Sequence, residues 1–126
     1  MKEEISFMTG KFASTTTEAT EGHRFGEDLA KWMALRSKDS EFTFGVAEKT
    51  ESGWSETVTV GNESFRLGFS LGKDTRPDYS EWHVTIGGGN GWNGSRSAGT
   101  PGRSRLCDHV YNVLRDERQI RELQWV

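Results

Sequence analysis

The chain has 126 residues, a length that fits one domain around a single core. Only 33% of its residues are hydrophobic and the mean hydropathy is −0.73, yet 5 Trp and 7 Phe supply the large apolar groups such a core needs, which excludes wholesale disorder. A net charge of −3 and a pI near 5.6 argue against a nucleic-acid binder that works by bulk positive charge.

The charge is unevenly spread. Residues 1–60 hold 7 basic and 11 acidic groups, residues 101–126 hold 5 and 4, and every basic residue after Lys73 is an arginine. The single Cys107 excludes an intrachain disulfide and fits a reducing cytosol. The opening "MKEEISFMTG" lacks the roughly 7–15-residue apolar core of a signal peptide. No run has the length of a membrane-spanning helix. The expected location is the cytoplasm, of a bacterium or of a cell carrying a phage, without membrane association.

In chain order, "EEISF" predicts a short strand and "ASTTTEATEG" a loop. "FGEDLAKWMALRSK" predicts the first helix, with Glu27 and Asp28 at the positive end of its dipole. Leu29, Trp32, Met33 and Arg36 recur at i, i+3, i+4, i+7, giving an apolar face with an arginine at its far edge and Trp32 in the core. Four alternating runs follow. "FTFGVAE" groups Phe42, Phe44 and Val46; "WSETVTV" groups Trp54, Val58 and Val60 with Glu56 as the odd member; "SFRLGFSLG" groups Phe65, Leu67, Phe69 and Leu71; "EWHVTI" groups Trp82, Val84 and Ile86. Alternation with a period of two predicts an antiparallel sheet buried on one side.

Gly61-Asn62 predicts a tight turn between the second and third runs, and "GKDTRPDYS" a longer loop. "TPGRSRLCDHVYNVLRDE" predicts a second helix, started by Thr100-Pro101 or by Ser104. Leu106, Val110, Val113 and Leu114 would form its buried stripe, with Cys107 at the margin as a small packed hydrophobe. "QIRELQWV" predicts a closing strand that alternates Leu123 and Trp125. The expected fold is α+β: a two-layer, mostly antiparallel sheet of five or six strands with two helices on one face, a single domain over 1–126.

The stretch "GNGWNG" at 89–94 is a literal G-x-G-x-x-G. A dinucleotide fingerprint also needs a parallel strand before it, a helix starting within it, and an acidic residue about 20 positions on at a strand end. Here the glycines run into "SRSAGTPG", the strands before it form hairpins, and Asp116 and Glu117 fall in the second helix. That reading is rejected, and no G-K-[ST] supports a P-loop. The Gly-rich loop 87–102 and its sequel nevertheless carry Arg96, Arg103 and Arg105 with no acidic residue across 87–105, a composition that suits an anion nest, although a connector with solvated charges is the more common outcome for such a loop. Trp92 in that loop either docks back on the protein or anchors a partner.

Catalytic groupings are sparse. His23, His83 and His109 are scattered without zinc-ligand spacing. Glu81 and His83 share one strand face, which permits a contact, although exposed cross-strand neighbours are the more common outcome. The carboxylates of "EKTESGWSE" read as a solvated hairpin end.

Three landmarks carry a resemblance. Gly26-Glu27-Asp28-Leu29-Ala30-Lys31-Trp32-Met33 matches a "G-x-D-L-A-x-W-L" helix, Glu51-Ser52-Gly53-Trp54 loosely matches an acidic, Trp-bearing strand opening, and Ile120-Arg121-Glu122-Leu123-Gln124-Trp125 matches a closing "I-x-x-I-x-W". In these the chain resembles a group of small uncharacterised bacterial proteins, over most of its length. The resemblance implies the α+β fold and no reaction type. The middle motif is less acidic here and the Gly-rich loop is an elaboration.

The resulting expectation is a small non-catalytic cytosolic binding protein, such as an immunity protein or an inhibitor of a bacterial or phage protein, with no cofactor and no metal. Its contacts would be Trp92 as apolar anchor and Arg96, Arg103 and Arg105 as anion contacts, and its partner another protein. The alternative is a small-molecule or nucleotide-binding, sequestering protein that holds an anionic ligand with the same loop over the exposed sheet face, Arg66 and His83 adding polar contacts.

Overall fold

The computed structural model describes residues 4–12, 26–51, 53–75 (backbone only at 73–75), 79–87 and 101–126. The elements are β1 (Glu4–Thr9), α1 (Glu27–Arg36), β2 (Thr43–Phe44), β3 (Glu48–Lys49), β4 (Gly53–Val60), β5 (Glu63–Thr75), β6 (Ser80–Gly87), α2 (Pro101–Arg115) and β7 (Ile120–Trp125). The strands make one seven-stranded sheet in the order β2-β4-β5-β6-β1-β7, with β3 also on β4, and every pairing is antiparallel. The fold is α+β, with both helices on one face.

The register explains the layering. Val58 pairs with Phe65, Leu67 with Ile86, Phe69 with Val84, and Val84 with Ile5. One face of four adjacent strands is therefore apolar apart from Glu56, which stands opposite Leu67. Leu29, Ala30 and Met33 of α1 and Leu106, Cys107, Val110 and Leu114 of α2 complete the core over it. Trp82 is its largest fully buried side chain. Trp32 is half-buried against this core, edge-on to Phe12 at 5.4 Å and capped by the Arg36 guanidinium at 5.3 Å. Cys107 sits inside rather than at the margin, and Val113 is the half-buried member of the stripe.

Several boundaries differ from expectation. "FTFGVAE" does not form one strand. Regular pairing ends at Phe44, although the Gly45 N–H still donates to Thr57 O (2.7 Å); Val46 ends up 85% exposed, and β3 rejoins β4 one residue out of register with β2. The predicted "GKDTRPDYS" loop is largely strand, because β5 continues to Thr75 through an irregularity opposite β6. At Gly61-Asn62 only Gly61 has a positive φ (58°), the pattern of a hairpin turn with glycine first. Helix α1 stops at Arg36: the Ser37 hydroxyl folds back to donate to Met33 O (2.8 Å), and the Ser37 N–H bonds Ala34 O. Helix α2 starts at Pro101, which needs no N–H partner there, and ends at Arg115, so Asp116 and Glu117 belong to the following turn. The "ASTTTEATEG" segment and the G-x-G-x-x-G at 89–94 lie outside the described residues. The strand before that motif, β6, has only antiparallel neighbours, as a hairpin sheet requires.

Candidate functional site

Period-two alternation sends every second side chain to the sheet face that no helix among the described residues covers. From β1 come Glu4, Ser6 and Met8; from β6, Glu81, His83 and Thr85; from β5, Arg66, Gly68 and Ser70; from β4, Ser55 and Thr57. In the middle of this face Gly68 has no side chain, and the Thr85 hydroxyl occupies the space its Cβ would take.

Two polar clusters flank that centre. Ser6 and Ser70 are the cross-strand partners of His83, which lies between two carboxylates: Nδ1 is 2.5 Å from Glu4 Oε2 and Nε2 is 3.1 Å from Glu81 Oε2. Ionised carboxylates only accept hydrogen bonds, so the imidazolium can donate to both and the neutral ring to one. The Glu81–His83 contact that the strand spacing permits is thus made, with Glu4 added from a strand 79 positions away. On the other side Arg66 Nη1 donates to Ser55 Oγ (3.0 Å) and approaches Glu48 Oε1 (3.7 Å). Ser55 is buried, although it belongs to the helix-free side.

The expected loop site is dispersed. Trp92 and Arg96 lie outside the described residues. Arg103 and Arg105 lie on α2, across the sheet from Arg66 and His83. Arg103 is 5% exposed and Arg105 Nε bonds Glu41 Oε2 at 3.2 Å. A Cβ at Gly102 would lie 2.1 Å from Glu63 Oε2, so that carboxylate already rests on the first turn of α2, where the helix dipole favours an anion. Of the six sequence candidates, the structure brings together Arg66 and His83 on one face.

The expectation that the carboxylates of "EKTESGWSE" form a solvated hairpin end fails at Glu56, which is buried. It alternates onto the apolar face opposite Leu67 and is 2% exposed. Its Oε1 meets no hydrogen-bond partner among the described residues. Burial without a cation pushes its pKa from 4.5 up to about 8, so at neutral pH it is mostly a neutral acid. The odd carboxylate in an otherwise apolar alternation was the available signal. Its neighbour residues in "EKTESGWSE", Glu48 and Glu51, are exposed as a hairpin end requires. His109 is held below its ordinary range by burial, partly opposed by Glu41. Since Ser37 Oγ spends its proton on Met33 O, it accepts from His109 Nε2 at 2.7 Å.

Among the described residues no group of three or more His, Cys, Asp or Glu side chains could hold a metal ion. No helix among them is long and apolar enough to cross a membrane. No family model matches the chain, and no curated protein or solved structure is recognisably similar to it.

Proposed function

We propose that this chain is a small non-catalytic binding protein that recognises another protein through the helix-free face of its sheet. An immunity protein or an inhibitor of a bacterial or phage protein is the class this fits, working in the cytoplasm and grouped with the small bacterial proteins that share its opening helix and closing strand motifs. One observation carries the reading: Arg66 and His83 stand on the same helix-free face in two separate polar clusters, Arg66 beside Ser55 and Glu48 and His83 between Glu4 and Glu81, so that face presents a pattern of charges. Small-molecule sites are concave, whereas protein interfaces are broad and set register by complementary charge. The partner surface would present a cation toward Glu4 and Glu81 and a carboxylate toward Arg66.

The test is capture from a host lysate by wild type, Arg66→Ala/His83→Ala and Lys38→Ala, followed by affinity measurement with the captured protein. The expected result is one enriched protein, bound about 30-fold more weakly by the double variant, the size of a hot-spot truncation, and unchanged with Lys38→Ala. Equal capture by wild type and the double variant would overturn the reading. A Trp92→Ala/Arg96→Ala bait distinguishes the face from the Gly-rich loop, since loss with that bait alone would move the contact to the loop.

A further inference from the structure

At the corner of the sheet where β1 ends and β6 and β7 begin, a groove of about 610 Å³ opens. Met8 and Thr9 line it from β1, and Lys11, Tyr79, Arg118 and Arg121 surround it. Its volume falls within the range of small-ligand sites.

Two local devices assemble it from residues more than 100 positions apart. Thr9 is buried, and its hydroxyl donates to Gln119 O (2.7 Å) while accepting the Lys11 N–H (3.2 Å). That one hydroxyl fixes the segment bearing Lys11 against the turn bearing Arg118. The second device is a bulge in β7. Ser6 pairs with Gln124 but Met8 with Arg121, so Glu122 and Leu123 together face Phe7. Glu122 adopts φ 54°, the only positive φ at a non-glycine among the described residues. The extra residue keeps Leu123 packed on the core while Arg121 stands opposite Met8, at the groove. Bulges and left-handed residues of this kind recur where a side chain is re-aimed at a site.

The charge of the groove is unlike that of the rest of the chain. Arg36, Arg66 and Arg105 each have a carboxylate within 4 Å, whereas Lys11, Arg118 and Arg121 are exposed and have no ion pair among the described residues. The lining holds one acidic side chain, Glu122, against those three cations, in a chain of net charge −3. Glu81, across from Met8, is turned to His83. Cations gathered around a concavity concentrate its positive potential, and guanidinium forks match phosphate oxygens in pairs.

We infer that this groove binds a small phosphorylated ligand carrying at least two negative charges. Arg118, Arg121 and Lys11 hold the phosphate, and the remainder of the ligand lies toward Tyr79. The groove adjoins the Glu81–His83 cluster at Met8 but shares no charged residue with it, and phosphate binding there does not rest on the proposed protein binding.

Calorimetric titration of the full chain at low salt, with pyrophosphate, a nucleoside diphosphate and the matching nucleoside, tests this. Expected is saturable one-to-one binding of pyrophosphate and of the diphosphate, weakened at least tenfold by Arg118→Ala, by Arg121→Ala and by raising the salt, and unaffected by Lys38→Ala. A diphosphate that binds more tightly than pyrophosphate assigns the Tyr79 side to the base and sugar; equal affinity leaves phosphate as the whole determinant. Binding of the nucleoside as tight as its diphosphate, absence of saturable binding to either phosphate compound, or equal loss with Lys38→Ala would overturn the inference. Both arginines are exposed, and unchanged melting temperatures of the variants would show that any loss is local.

Discussion

The two sides of the sheet treat a carboxyl group in opposite ways. On the helix-free side Glu4 and Glu81 bracket His83 within hydrogen-bond distance and stay partly solvated. On the helix-covered side Glu56, at the centre of β4, is buried with no hydrogen-bond partner for Oε1 among the described residues, and burial keeps it protonated up to about pH 8. The residues flanking Glu56 make the contrast sharper, for Ser55 is just as buried but accepts from Arg66. Burial is tolerated when a partner comes with it; without one, the group gives up its charge.

The largest way to disturb this comparison is to empty the apolar side. Trp82→Ala removes the largest fully buried side chain and should lower stability by about 3–5 kcal/mol in chemical denaturation. Gly53→Ala should also be severe, because a Cβ there would lie 2.0 Å from the Phe69 carbonyl oxygen and force β4 away from β5.

Next comes Glu56. The folded chain keeps a proton that the unfolded chain releases above pH 4.5. Its contribution is therefore complete below pH 4.5 and is lost as pH rises toward 8, at no more than about 1.4 kcal/mol per pH unit. Glu56→Gln should flatten that part of the stability–pH curve. Glu56→Met should raise stability at pH 8 by about 1–3 kcal/mol, since it removes an unpartnered buried polar group. A slope that survives in Glu56→Gln would show that another group titrates. His109 works in the opposite sense: its folded pKa lies below the ordinary 6.5, so its contribution is lost as pH falls below that value. His109→Gln should reduce the acid-side loss, provided Ser37 keeps its bond.

The smallest stability effect belongs to the helix-free face. His83→Ala and Arg66→Ala should each change stability by less than about 1 kcal/mol, as partly exposed pairs do, while altering partner binding far more. A large fall in stability would make these clusters structural.

Much of the architecture was legible because its signal is local. The two-residue alternation of Phe65, Leu67 and Phe69 and of Trp82, Val84 and Ile86 assigned both the strands and their buried side. The 3.6-residue recurrence of Leu106, Val110 and Leu114 did the same for α2. Legibility failed where a backbone partner or a distant strand decides. Val46 continues the alternation of Phe42 and Phe44 but lies between β2 and β3, where the pairing with β4 shifts register. The arginines after residue 100 looked alike in the chain, yet of the candidates Arg103 is buried and Arg105 is paired with Glu41, while Arg118 and Arg121, which no sequence signal singled out, stand beside a groove.

By itself, then, the sequence determined the α+β class, the two helices, most of the strands and which residues face the core, because hydrophobic periodicity is written in neighbouring residues. Only the tertiary structure decided which charges meet. Glu4 reaches His83, Glu41 reaches Arg105, and Thr9 ties Lys11 to the turn before β7 through contacts spanning 64 to 110 positions. Such pairings depend on strand order, register and a single bulge, and no local pattern encodes them.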